Sequence, residues 1–274
     1  MNRFLGWLLL WVFLISIVGP FAWVLMTSFK SGANILASPW SLPTDLSQGS
    51  KNFSVAWGEG GFAKNFVTSL IVTIGTLVIL IPVGSMAAYV LAKYPFKGSK
   101  FILGGFMGGL MFPNFLVIVP LFLLVDKLGL LNTKIGLILV YVAYSLAFTV
   151  FVLHGFFQAL PGELMEAARL DGCSDNATFW KVMLPLAKPG VLVVAIFNLI
   201  GLWNEYPLAL VLANTPDFTT LPVGVANLTE NQQYAGDWGA LFAGIVIVMI
   251  PVMVVYLIFR DQIQKTMLAG ALKG

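Results

Sequence analysis

The chain has 274 residues, of which only 10% are charged and 59% are hydrophobic. A water-soluble domain carries about 25% charged and about 45–50% apolar residues, so a soluble globular fold is excluded, because it would leave large apolar patches in water. A single cysteine, Cys173, and a single histidine, His154, exclude an intrachain disulfide framework, cysteine-only metal sites and multi-histidine metal or haem sites. The mean hydropathy of +0.92 comes from long continuous apolar runs. A strand barrel would instead show alternating segments of about ten residues. The fold class is therefore all-α: a polytopic membrane protein, with room for about six or seven spans of roughly 20 residues.

In chain order, the first span runs from about Phe4 to Phe29. It is longer than a signal-peptide core of about 7–15 residues and has no good cleavage site, so it reads as a retained anchor. A polar stretch from Lys30 to Asn65 follows. The second span is Phe66 to Ala92, and Lys93, Lys97 and Lys100 come directly after it. The third is Phe101 to Val125, the fourth Ile135 to Phe157, and a semi-polar stretch of 158–188 comes next. The fifth is Pro189 to Ala213, followed by an outer loop from Asn214 to Trp238. The sixth is Gly239 to Phe259, and a short polar tail covers 260–274. The organisation is thus residues 1–65 (first span and outer loop), a 66–259 transmembrane core and the tail. Pro82, Pro113, Pro120, Pro207 and Pro251 lie in spans and predict kinks. Gly104, Gly105, Gly108 and Gly109 have small-xxx-small spacing, read first as close packing within the bundle.

Six spans put both termini on one side. That side holds Arg3, Lys93, Lys97, Lys100, Arg169, Lys181, Lys188, Arg260, Lys265 and Lys273, against Lys30, Lys51, Lys64, Lys127 and Lys134 on the other. Ten against five predicts both termini in the cytoplasm.

The inner loop after the fourth span carries the strongest local signals. Pro161 suits a first helical turn, Glu163 and Glu166 lie near its N-terminal end, and Gly172 is a natural C-terminal stop. Leu164, Ala167 and Ala168 can share a face. Ser174 or Asp175 can cap a second short helix bearing Phe179, Trp180, Val182 and Met183, which Pro185 ends. Two short helices at the cytoplasmic surface could dock another protein.

Glu166-Ala167-Ala168, three residues, Gly172, nine residues, then Val182-Met183-Leu184-Pro185 resembles the EAA signature of ATP-binding cassette (ABC) importer permeases. The departure is Val182 in place of isoleucine. Pro39-Trp40-Ser41-Leu42-Pro43, Asn52-Phe53, Trp203-Asn204-Glu205-Tyr206, Asp237-Trp238-Gly239 and the ending Ala269 to Gly274 are similar to the carbohydrate, maltose-type branch and its second permease subunit. Thr68 before Ser69-Leu70 departs from that branch. The resemblance implies the type I importer permease fold in the inner or plasma membrane. It also implies a second permease, two ATPase subunits, an extracytoplasmic solute-binding protein and a sugar substrate. Glu166, Ala167, Ala168, Arg169, Gly172, Leu184 and Pro185 would form the ATPase-coupling surface, with Glu166 and Arg169 making polar contacts. ATP closure of the ATPase dimer would draw the coupling helices together and open the bundle outward. The chain has no G-x-x-x-x-G-K-[ST] run. ATP and magnesium are therefore expected to belong to the partner subunits, and this chain is expected to bind no cofactor, metal or nucleic acid and not to be an enzyme.

In the fifth span Asn198 and Glu205 are seven apart and share a helix face, with Leu202 on the same stripe. A mid-bilayer carboxylate costs about 2.5–3.5 kcal/mol on insertion scales and so faces protein or a water-filled cavity. Asn198, Leu202, Trp203, Asn204, Glu205 and Tyr206 are the translocation-pathway candidates. A structural hydrogen bond from Glu205 to a neighbouring helix is the other reading. Trp203 and Tyr206 could stack on a sugar ring or sit at the lipid interface. His154 reads as packing, Cys173 as a reduced incidental thiol, the 214–238 loop as a docking surface for the binding protein, and the tail as either a frayed end or an ATPase contact. Two alternatives remain: an ion-coupled secondary transporter, which would want more intramembrane carboxylates or broken helices, and an ABC permease for a non-sugar solute.

Overall fold

The computed structural model describes the backbone of residues 3–235 and 237–271 and the side chains of 4–113, 115–213, 215–229 and 237–262. Among the described residues the regular structure is helical apart from a two-stranded ribbon at Asn214–Thr215 and Phe218–Thr219. Four helices are long and apolar enough to cross a membrane, and up to six spans result if each of two bent helix pairs counts as one. The two pairs are Ser99–Met111 with Phe115–Lys127 and Asp175–Leu186 with Lys188–Trp203, so the second takes in part of the 158–188 stretch expected to lie between spans.

The chain divides into two units. The first comprises Met1–Val67 and Thr219–Met253. It contains α1 (Arg3–Thr27), α2 (Gly32–Ala37) and α3 (Ser47–Trp57), so the expected polar loop of 30–65 is largely helical. The apolar window of α1 is not buried at all within the chain, which suits a helix solvated by lipid or by another subunit. Its C-terminal end is tied down: the Trp23 ring meets Trp40 at 5.6 Å and Phe242 at 5.3 Å. Asn52 donates to the carbonyls of Ser28 (2.8 Å) and Lys30 (2.9 Å), fixing the turn after α1 against α3.

The second unit comprises Thr68–Phe218 and Val254–Gly274. The long α4 (Phe62–Lys93) is followed by α5 (Ser99–Met111) and α6 (Asn114–Lys127). The third span is therefore not one kinked helix. Phe112 is extended (φ −79°, ψ 129°) because the residue before a proline is pushed out of the helical region, and the span splits at Phe112-Pro113. Next comes α7 (Lys134–Ala159), N-capped by Thr133, whose hydroxyl accepts from the Gly136 N–H at 3.0 Å. It is the central helix of this unit, packed by both α5 and α11 (Lys188–Trp203).

Close packing is built on Gly84 of α4. A Cβ there would lie 2.4 Å from Cγ2 of Thr149 on α7. Thr149 is fully buried, and its hydroxyl donates to the Ser145 carbonyl and accepts from Asn198 of α11. It cannot easily move aside. Gly84→Leu is expected to destabilise the protein by about 1–3 kcal/mol through overpacking, read as a lower thermal midpoint of the purified protein.

The fifth span is also interrupted. Helix α11 has 16 residues, about 24 Å at 1.5 Å per residue, short of a hydrocarbon core of about 30 Å. After a break at Asn204–Tyr206 the six-residue α12 (Pro207–Leu212) begins. The 214–238 loop carries α13 (Leu221–Ala235), and α14 (Trp238–Ala271) continues well past the expected end of the sixth span. The helical backbone thus covers most of the expected polar tail. The side chains of Lys265 and Lys273 and of the Ala269 to Gly274 ending lie outside the described residues.

Candidate functional site

The 158–188 stretch forms α8 (Glu163–Leu170), α9 (Asp175–Thr178), a π-helical turn (Phe179–Met183) and α10 (Leu184–Leu186). Helix α8 ends as the sequence predicts. Gly172 sits at φ +82°, its N–H donates to the Arg169 carbonyl at 3.0 Å, and the Cys173 N–H reaches back to the Ala168 carbonyl at 2.9 Å. This pair of bonds is a Schellman stop, and its left-handed residue is the one that glycine adopts without a Cβ penalty. The Ser174 hydroxyl then accepts from the Ala177 N–H at 3.3 Å and starts α9.

Pro185 does not end the second piece. The preceding turn widens to π geometry, with the Leu184 N–H donating to the Phe179 carbonyl. A proline in a regular helix would collide with the carbonyl four residues back. The wider turn relieves that clash, and the helix runs on to Leu186.

Only part of the expected α8 face is correct. Met165 and Ala168 turn inward (7% and 5% exposed), and Leu164 is half-buried. Ala167 instead lies outward with Glu163, Glu166 and Leu170. Those four positions have i, i+3, i+4, i+7 spacing and form one exposed stripe. Leu170 at its end is 89% exposed. The buried face joins a core of Tyr89, Leu153, Phe157, Phe179 and Met183, so the loop is packed onto the C-terminal ends of α4 and α7. Leu184 is half-buried and Pro185 exposed.

Arg169 is not free on this surface. Its guanidinium donates to Asp175 at 3.1 Å across the Gly172 turn, and hydrogen bonds to Asp175 and then Tyr94 raise its pKa above the ordinary arginine value. Lys93, in the last turn of α4, donates to the Leu160 carbonyl at the C-cap of α7. Lys93→Met is expected to cost about 1 kcal/mol, the range for a cation at a helix C-terminus, measurable as a small drop in thermal midpoint.

The pathway candidates separate into two groups. Asn198 is buried and donates to Thr149 (3.1 Å) and to the Val194 carbonyl (2.9 Å). Leu202 and Trp203 are 4% and 3% exposed, so the Trp203 ring is not open for stacking in this conformation. Asn204 and Tyr206 are exposed, and Glu205 is partly exposed. The break at 204–206 removes the shared helical face expected for Asn198 and Glu205. The Glu205 carboxylate accepts from the Leu208 N–H (2.8 Å), the Ala209 N–H (3.0 Å) and the Tyr141 hydroxyl (2.6 Å). It satisfies the first free N–H groups of α12 and ties the break to α7. Two clefts adjoin these residues. One of about 290 Å³ is lined by Tyr144, Ser145, Asn198 and Leu202. The other, of about 250 Å³, is lined by Tyr144, Asn204, Glu205 and Tyr206.

Tyr141, Tyr144, Ser145 and Thr149 on α7 were not among the sequence candidates. Their spacing within an otherwise apolar span is a polar helical stripe, the signal that points to them.

Residues 80–268 match the family model for the binding-protein-dependent transport system inner membrane component. The chain belongs to this family. It is thus a permease, a membrane component of a binding-protein-dependent transporter and not an enzyme. The permease is 44% identical over 266 residues to the diacetylchitobiose uptake system permease protein NgcG of Streptomyces coelicolor, covering 97% of this chain and 87% of that one. It is 36% identical to the trehalose transport system permease protein SugB of Mycobacterium tuberculosis, over 78% of each chain. It also shares its fold with a chain of a bacterial ABC transporter involved in alginate import, at TM-score 0.76, 24% identity and coverage of 94% and 95% of the two chains.

Proposed function

We propose that this permease forms half of the translocation pathway of an ATP-driven importer of small oligosaccharides. The observation that carries the reading is 44% identity along 97% of the chain to a diacetylchitobiose permease; trehalose and starch-product permeases among the relatives support the class. A second permease completes the pathway. Two ATPase subunits use ATP and magnesium, and a solute-binding protein delivers the sugar to the outer face. Both termini lie in the cytoplasm, as the distribution of basic residues favours.

The exposed stripe of Glu163, Glu166, Ala167 and Leu170 is the ATPase-docking face, and the packed core beneath it passes ATPase motion to α4 and α7. Arg169 acts with Asp175 as a brace across the Gly172 turn. Asn198, Leu202, Asn204, Glu205 and Tyr206 border the pathway through the two clefts, whereas Trp203 supports it from behind. Ligands shift such an alternating-access equilibrium only through different affinities for its two states.

The test is reconstitution of the permease with its partner permease, ATPases and binding protein in vesicles. ATP-dependent uptake of labelled N-acetylated or glucose disaccharides is expected. Uptake driven by an ion gradient without the ATPases, or stimulation only by a non-sugar solute, would overturn the reading.

A further inference from the structure

An apolar cleft of about 350 Å³ lies between α6, α7 and α12. Leu121, Leu124 and Val125 of α6, Leu139 and Val140 of α7, and Leu208 of α12 form its walls. Among the described lining residues only Tyr144 carries a polar side-chain atom. A sugar or a water there would lose its hydrogen bonds without replacement. Leu124, Leu128 and Leu139 are 54%, 61% and 47% exposed, so the rim opens onto the apolar outer surface of the helices.

The polar end of the cleft is marked by charge. Its wall runs to Leu128 and Gly136, beside the last residue of α6, Lys127, and the first turn of α7, which begins at Lys134. Both lysines are exposed, and neither enters an ion pair among the described residues. Asp126 is the single acid in the 126–134 connection, so that connection carries a net positive charge (two lysines less one carboxylate). An apolar slot with an exposed apolar rim, whose lining residues Leu128 and Gly136 stand one and two positions from the exposed Lys127 and Lys134, matches an amphiphile with a hydrocarbon tail and a negative head.

We infer that the cleft holds an acyl chain of an anionic phospholipid whose phosphate lies at Lys127 and Lys134. The chain fills a slot that neither water nor substrate can occupy, and it supports the junction of α12 with α6 and α7. The inference needs only that the chain is a membrane permease and does not depend on the transported solute.

The experiment is native mass spectrometry of the assembled transporter, purified with phosphatidylglycerol or with phosphatidylcholine. Two lysines near a lipid surface supply an anionic-over-zwitterionic preference of roughly 5- to 30-fold in retention. Lys127→Ala/Lys134→Ala is expected to bring that preference close to one. Ala143→Phe, which fills the slot from α7, is expected to lower retention of both lipids. In a Cys173→Ser background, a photoprobe on Leu139→Cys is expected to label lipid. An unchanged preference in the double variant, or labelling of a partner polypeptide in place of lipid, would overturn the inference. The lysine variant lies on the surface and keeps the test valid if Ala143→Phe fails to assemble. None of these readouts involves substrate, so a wrong sugar assignment would leave them unaffected.

Discussion

Glu205→Ala is expected to destabilise the permease by about 2–3 kcal/mol. The side chain makes two kinds of bond. Its links to the Leu208 and Ala209 N–H groups are a helix cap, worth about 0.5–2 kcal/mol. Its link to the Tyr141 hydroxyl joins two membrane helices, and such bonds average only about 0.6 kcal/mol with a maximum near 1.7. The loss is nevertheless amplified, because Tyr141 is 1% exposed and Leu208 and Ala209 are 4% and 0% exposed. Their freed donors would lose a charged acceptor, with water reaching them only through the adjoining cleft. Tyr141→Phe should cost about 1 kcal/mol, since it removes the donor and leaves the cap. Glu205→Gln should fall between the two, keeping an acceptor oxygen but losing the charge. Thermal midpoints of the purified complex give the order. If Glu205→Ala were no worse than Tyr141→Phe, the cap would contribute nothing and the break would be held by packing alone. Transport should fall with stability in this series, because the same carboxylate that borders the cleft also fixes α12 to α7.

The inner loop was legible from the sequence because its signals are local. Gly172 stops α8 and Ser174 starts α9 through bonds to residues within a few positions, and such chemistry is written in the order of the residues. The face of α8 was only half legible. Helical period groups Leu164, Ala167 and Ala168, but which of them turns inward depends on Tyr89 and Phe179 in distant elements. The breaks at Phe112-Pro113 and Asn204–Tyr206 were hidden for a different reason. Hydropathy averages polarity over a window, and Leu199, Ile200, Leu202, Leu208 and Leu210 keep that average apolar while the backbone ladder is interrupted. Pro207 was visible as a kink. That the carboxylate of Glu205 would replace the missing backbone acceptors, with a tyrosine 64 positions away as its third partner, is a tertiary fact. Pro185 misled in the opposite direction: a stop signal was absorbed by one widened turn.

Gly172→Pro is expected to produce the largest functional loss, at least an order of magnitude in transport per ATP hydrolysed. The native φ is +82°, whereas proline is locked near −65°, so the chain reversal between α8 and α9 cannot form. Proline also deletes the N–H that donates to the Arg169 carbonyl. The Arg169–Asp175 brace spans this same turn and would lose its geometry. The ATPases would then dock on a surface no longer aligned with the core of Phe157, Phe179 and Met183, and the response of hydrolysis to loaded binding protein should weaken. Gly172→Ala separates strain from reversal. Nothing lies within 4 Å of a Cβ placed there, so alanine meets only the left-handed backbone penalty of about 1–2 kcal/mol, and transport should stay within a few-fold of the native rate. Glu166→Lys separates surface from scaffold. The residue is exposed and is not among the side chains that build the core beneath α8, so the fold should survive while an ATPase contact is reversed in charge. Native substrate-stimulated hydrolysis in both Gly172→Pro and Glu166→Lys would remove the coupling role from this loop. Loss in Gly172→Pro alone would assign it a scaffolding role with the contact elsewhere on α8, and Leu170, as the most exposed apolar group of that stripe, would then be the side chain that carries it.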